Sequence, residues 1–245
     1  MDIYYLFQSG FTIEHKGDCL ILDYFTGKIS NNWKTPTPKD PISYNSVTVF
    51  ASHSHPDHYN PDIFLWEKER ADIKYVLSSD IKEKAAAQKR IKNPNISFVT
   101  DGESLNVNGY SVTAYGSTDI GVSFHITKDE LSIFHAGDLN FWHWSDESSQ
   151  DEIREAREKF DAELGKIRNG VERIDVAFFP VDPRMKTDYY RGAILFCMEM
   201  RPSFLIPMHY GRHFMLPSEF IKEAENFTQI KMPDNSNKSV RIDIK

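Results

Sequence analysis

The chain has little cysteine, no cluster of lysine or arginine, and no apolar run long enough to cross a bilayer. Each shortage removes a class of protein. Two cysteines in 245 residues cannot form the dense disulfide framework of a small secreted domain. Cys19 and Cys197 both sit in apolar stretches and read as small core residues, although counting alone leaves one disulfide open. A formal net charge of -7 without a basic patch lacks the electrostatic footprint of a nucleic-acid binder, so nucleic acid is disfavoured as a partner. The start, Met1-Asp2-Ile3-Tyr4-Tyr5, has no basic segment followed by an apolar core. No signal peptide is therefore read, no membrane association is expected, and the cytoplasm is the default location. With 40% hydrophobic residues, the chain can bury one large core, and the expectation is a single domain over 1–245.

Against this background one stretch stands out: His53-Ser54-His55-Pro56-Asp57-His58 puts three imidazoles and a carboxylate into six residues. Nitrogen and oxygen donors of this kind suit zinc, iron or manganese, and can leave a coordination position open for water. The run before it, Ser46-Val47-Thr48-Val49-Phe50-Ala51-Ser52, is apolar and β-branched and reads as a strand that ends where the histidines begin. Asn60 can cap, and Pro61 can open, the helix that follows. Strands are also expected over 2–8, 11–15, 18–24, 96–99, 103–115, 121–137, 174–179, 204–208 and 240–244. Helices are expected over 82–92, 147–168, 189–200 and 220–227. The polar connection 26–43, with Trp33 and three prolines, is long enough to be a lid over a site or an insertion.

This His-x-His-x-Asp-His pattern between a strand and a helix resembles the signature of the metallo-β-lactamase-fold hydrolases. Phe134-His135-Ala136-Gly137-Asp138 resembles that family's bridging-aspartate landmark, and Pro207-Met208-His209-Tyr210-Gly211 its final-histidine landmark. The terse forms look most like the branch that contains ascorbate-phosphate lactonases. The resemblance implies an α/β fold, a four-layered αβ/βα sandwich with the ligands gathered at one edge of two sheets. It also implies one or two divalent transition metal ions, zinc first, with manganese or iron as alternatives. By analogy His53 and His55 belong to a first metal site, Asp57, His58 and His209 to a second, and Asp138 joins the two.

The sequence departs from the family at the intermediate histidine. After the strand Tyr110-Ser111-Val112-Thr113-Ala114-Tyr115, the loop reads Gly116-Ser117-Thr118-Asp119. Asp119 can replace the absent imidazole as a ligand or can be a turn residue beside Gly121. His143 can turn into the same pocket or can contact substrate. His125, on the polar face of an alternating strand, reads as structural.

The implied activity is hydrolysis of an ester, lactone, amide or phosphodiester bond in a small molecule by metal-activated water, with Asp57 as catalytic acid-base. The rival is a member of the fold that has lost hydrolysis and serves as a binding or sensing module. Arg184 and Arg212, each near a strand end, can hold an anionic group or can be solvated. Trp33 and Trp142 are candidate substrate contacts.

Overall fold

The computed structural model describes residues 1–25, 43–87, 89, 92–211, 215–234 and 238–244. Trp33, Arg212 and most of the 26–43 connection, with any lid it forms, lie outside the described residues.

Two mixed seven-stranded sheets carry the architecture. The first is built from β1 (Asp2–Phe7), β2 (Gly10–His15), β3 (Asp18–Leu22), β4 (Ser46–Ala51), β5 (Lys74–Ser78), β6 (Ile96–Val99) and β14 (Ser239–Arg241), in the order β14-β1-β2-β3-β4-β5-β6. The second contains β7 (Ser104–Val107), β8 (Tyr110–Tyr115), β9 (Ser123–Lys128), β10 (Leu131–His135), β11 (Val176–Pro180), β12 (Phe204–Met208) and β13 (Gln229–Ile230), in the order β13-β12-β11-β10-β9-β8-β7. β3, β4, β5 and β6 run parallel, as do β10, β11, β12 and β13. In both sheets the parallel strands therefore deliver their C-terminal ends to one edge, where ligand-bearing loops gather.

Period-two alternation explains why the central strands read as unbroken apolar runs. Cys19 and Ile21 of β3, Val49 and Ala51 of β4, and Tyr75 and Leu77 of β5 face an outer core with Ile63, Phe64 and Ile81. Their neighbours Leu20, Leu22, Phe50 and Val76 face the inner core between the sheets. A strand buried on both faces has no polar side to show. Both cysteines are free and buried, and burial pushes each thiol up to about 12.

Helices cover the outer faces, giving the αβ/βα layering expected. α1 (Lys82–Ala87) and the 3-10 turns over Pro61–Lys68 lie on the first sheet's side. α2 (Gln150–Gly170), α3 (Arg191–Met200) and α4 (Ser218–Ala224) lie on the second's. Ser149 and Glu152 form a reciprocal capping box that starts α2, and Phe160, Leu164 and Ile167 turn its apolar face to the core. Asn60 caps the 61–68 segment as expected, accepting from Asp62 N–H at 2.9 Å, but that segment is 3-10 rather than α. The expected strand 103–115 is a hairpin, β7 and β8, turned at Asn108-Gly109; 121–137 is likewise the pair β9 and β10. The short β5, which follows charged residues and shows no polar face, was not expected from the sequence.

Candidate metal centre

Asp57 and the three histidines of the cluster sit on the loop that leaves β4, and the other strand ends bring three further ligand groups to it. His53, His55, Asp119 and Asp138 each direct one donor atom into a common space. Asp57, His58 and His209 do the same beside it; within each group the atoms lie within 4.8 Å of one another. Asp138 stands between the two groups. Its Oδ2 is 3.5 Å from His53 Nε2, while its Oδ1 is 3.2 Å from His58 Nε2 and 3.5 Å from His209 Nε2. Asp57 Oδ2 is 3.8 Å from both His58 Nε2 and His209 Nε2, and Asp119 Oδ2 is 3.7 Å from His55 Nδ1.

Two glycines permit this convergence. Gly137 has φ +55, and a Cβ there would lie 2.8 Å from the Ser52 Cβ; Gly121 has φ +80, and a Cβ there would lie 2.1 Å from the Ser52 carbonyl oxygen. No other residue fits either place without pushing the β4 loop away. His209 itself holds φ +63, a left-handed backbone uncommon outside glycine and asparagine, fixed in part by its N–H donating to the Gln8 carbonyl at 3.0 Å.

Buried carboxylates behind the imidazoles set their orientation. His58 Nδ1–H donates to Asp23 Oδ2 at 2.7 Å, so Nε2 faces Asp138. Asp23 also accepts from Ser52 N–H and from the Ser52 hydroxyl, both at 2.7 Å, and the Ser52 oxygen then accepts from His53 Nδ1–H at 3.0 Å. On the other side His209 Nδ1–H donates to Asp182 Oδ2 at 2.9 Å. These Nδ1 contacts turn the Nε2 of each of the three rings toward the common space, where His53 Nε2 also lies 2.9 Å from His55 Nδ1. Burial would raise Asp182, yet hydrogen bonds from His209 and Arg184 hold it down to about 2. Burial would also lower His58, but the Asp138 and Asp23 carboxylates outweigh it and keep its pKa well above the ordinary imidazole value. His53 goes the other way, to about 4, through burial and the neighbouring His58 charge.

Over residues 2–154 the sequence matches the family described as the beta-lactamase superfamily domain, more than half of the chain. The chain belongs to the beta-lactamase superfamily. The matched stretch holds the His53–His58 loop, Asp119 and Asp138, while His209 lies beyond it. Among solved structures, the chain is similar to Igni18, a metallo hydrolase from the hyperthermophilic archaeon Ignicoccus hospitalis KIN4/I. That match has a TM-score of 0.70 and 18% identity, over 100% of this chain and 99% of that one. An isothiocyanate hydrolase from Delia radicum gut bacteria matches with a TM-score of 0.54 and 11% identity, over 99% of both chains. CmlA, a diiron beta-hydroxylase from Streptomyces venezuelae, matches with a TM-score of 0.57 and 14% identity, over 85% of this chain and 44% of that one. At such identities these likenesses carry the metallo-β-lactamase fold alone. None of the curated proteins matches.

Divalent metals bind in this family's fold, and the donor sets fit them. Ligand arms of about 2.1 Å place donor atoms roughly 3.0–3.4 Å apart around one ion, close to the spacings to Asp138. His58 Nε2 and Asp138 Oδ1 are both buried without a hydrogen-bond partner. Leaving such groups unpaired costs about 1–3 kcal/mol each, a cost that a bound cation removes.

The other candidates named from the sequence fall around this centre or away from it, and His143 requires correction. Its Nδ1 is 2.8 Å from the Phe141 carbonyl and its ring stacks on Phe141 at 4.3 Å, so this buried side chain is outside both donor groups. The aromatic packing of the 140–144 loop outweighs its nearness in sequence to Asp138. His125, 2.9 Å from the Ser132 hydroxyl, is structural as read. A cavity of about 580 Å³ opens over the donor atoms, and Trp142, Trp144 and Arg184 help to line it. Trp142 Nε1–H donates to the Asp138 carbonyl at 2.9 Å. Arg184 is tied down by Asp182, to which its Nε donates at 2.8 Å and its Nη2 at 2.5 Å.

Sequence reading missed Asp23, Asp182 and His135. Asp23 is an aspartate one residue past β3, abreast of the β4 end through the Leu22 and Phe50 pairing, and that register was the available signal. Asp182 lay in the segment read for its arginine. His135, in the aspartate landmark, bonds through Nε2 to the Ser9 carbonyl at 2.8 Å and links β10 of the second sheet to the β1–β2 turn of the first.

Proposed function

We propose that the chain is one metallo-hydrolase domain that holds two divalent metal ions and cleaves an ester, lactone, amide or phosphodiester bond of a small molecule. The observation that carries this is the sharing of one buried carboxylate, Asp138, between two donor groups at the floor of an open cleft. His53, His55, Asp119 and Asp138 would hold the first ion, and Asp57, His58, His209 and Asp138 the second. Ions held there supply a water of lowered pKa and polarise the oxygen of the bond under attack.

The side chains do the rest. Asp57 is partly exposed and lines the cleft, so it can orient the attacking water, accept its proton and carry that proton to the leaving group. Asp23 and Asp182 keep three imidazoles aimed while substrate exchanges above them. Trp142 and Trp144, stacked at 5.7 Å, form an apolar wall, and Arg184 across the cleft offers its remaining N–H groups to an anionic part of the substrate. The binding-module reading draws its support from the absent histidine, whereas the Asp119 carboxylate, 3.7 Å from His55 Nδ1, supports the hydrolase reading.

Turnover by the metal-reconstituted protein on a panel of esters, lactones, amides and phosphodiesters tests the proposal. Hydrolysis of one class by wild type, lost in Asp57→Asn even at metal concentrations high enough to fill both sites, is the expected result. Full turnover by metal-loaded Asp57→Asn would overturn the assigned chemistry.

A further inference from the structure

The loop carrying Asp119 is fastened to both neighbouring ligand loops. Val122 N–H donates to the Ser52 carbonyl at 2.9 Å, directly against Gly121, and so ties it to the His53 loop. Thr118 ties it to the Asp138 loop: its hydroxyl donates to the Asn140 carbonyl at 2.6 Å and accepts from the Asn140 N–H at 2.9 Å. Asp119 N–H donates to the Ser117 hydroxyl at 3.2 Å, closing a local turn that presents the carboxylate toward His55. The turn is made by the Ser117 hydroxyl rather than by the Asp119 carboxylate, which instead faces His55 Nδ1 at 3.7 Å. Around this carboxylate the first site is open: the His55 side chain is 46% exposed and that of Asp119 41%, against 0% for His58, 3% for His209 and 32% for Asp57 in the second.

We infer that Asp119 is a metal-selecting ligand, giving the first site two imidazoles and two carboxylates and shifting its preference from zinc toward manganese(II) or iron(II). The inference rests on the reading of the two donor groups as metal sites. Carboxylate oxygen is a harder donor than imidazole nitrogen, and it can bind through one oxygen or two. Zinc is satisfied by four ligands in a tetrahedron, whereas manganese and iron accept five or six. A carboxylate in an open site supplies the extra oxygen and leaves room for water; an imidazole supplies one nitrogen in one direction. Zinc retains the higher raw affinity in any such site, so the effect is on the ratio of affinities.

The test needs no substrate. Metal-free wild type, Asp119→Ala, Asp119→Asn and Asp119→His are titrated anaerobically with manganese(II), iron(II) and zinc(II). Bound metal is counted by plasma mass spectrometry, and coupling of the manganese pair is read by electron paramagnetic resonance. Wild type is expected to bind two manganese ions with a spin-coupled signal. Asp119→Ala and Asp119→Asn should keep one, uncoupled, at the second site, which also reports that they are folded. Asp119→His should raise the zinc-to-manganese affinity ratio of the first site at least tenfold. Two manganese ions bound at wild-type affinity by the Ala and Asn variants, or an unchanged ratio in the His variant, would overturn the inference alone. Failure of wild type to bind any metal would overturn the metal-site reading with it.

Discussion

The two donor groups have the same composition on either side of Asp138, yet they are built differently. The second is more enclosed: His58 and His209 are buried, each backed by its own buried aspartate, and Asp57 alone of the three is partly exposed. The first is half open. His53 is buried and held through Ser52 to Asp23, but His55 and Asp119 reach it from exposed loop positions. Enclosure fixes ligand direction in advance, whereas an open site lets ligand and water exchange. The second site should therefore hold its ion tightly, and the first should admit, exchange and discriminate.

The largest break in this comparison comes from the group both sites use. Asp138→Ala should cost both ions, because each donor group loses a carboxylate that no neighbour replaces, and metal analysis after gel filtration checks it. Chelation of wild type should act in the same direction on stability. Metals present at about 100 times their dissociation constant contribute roughly 2.7 kcal/mol each, so their removal should lower Tm by about 5 °C or more, read by calorimetry.

Asp57→Asn should reduce kcat by about 10²–10⁴, the usual worth of a positioned acid-base group, with metal content followed alongside. Next in size are the buried orienting groups. Asp182→Ala should weaken the second site by about 10–100-fold and spare the first, since it touches His209 alone of the ligands. Asp23→Ala should weaken both, through His58 directly and through Ser52 to His53. Equal effects of these two variants on the two sites would dissolve the distinction between them.

A smaller effect concerns protons. Without metal, His58 is held protonated above the ordinary imidazole range, so its contribution to stability is full below its unfolded pKa and is lost as pH rises through the folded value. Metal must displace that proton, so metal affinity should instead fall as pH drops, by up to tenfold per unit. His53, at about 4, is neutral through the same window and contributes no proton. Calorimetric titration in buffers of different ionisation enthalpy should show a proton released on filling the second site that His58→Gln abolishes. Smallest, Trp144→Ala should raise KM a few-fold with little change in kcat, as expected of a wall that meets substrate before the reaction begins.

Much of this centre could be read from the chain because the loop after β4 delivers Asp57 and three histidines contiguously, and Asp138 and His209 arrive in recognisable strand-end settings. Asp119 could be named only as one of two repairs, since choosing it over His143 needed the packing of the 140–144 aromatics, which no local pattern encodes. Asp23 and Asp182 were invisible as orienting groups for a different reason. An aspartate after an apolar strand is a common turn residue, and only the pairing of parallel strands shows that it stands behind an imidazole. The layered fold came from the resemblance of the His53–His58, Asp138 and His209 landmarks to a known family; the strand and helix patterns supplied elements but not their layering. β5 escaped, although β3 and β4 are buried on both faces like it, because its apolar run Tyr75-Val76-Leu77 is short and follows the charged stretch 67–74.

A crystal structure of the metal-loaded protein, with anomalous scattering collected at the absorption edges of manganese, iron and zinc, bears most directly on the account. The expected maps show two peaks flanking the Asp138 carboxylate, one bonded by His53, His55 and Asp119 and the other by Asp57, His58 and His209. A single peak, or two peaks with Asp119 beyond bonding distance of either, would contradict it.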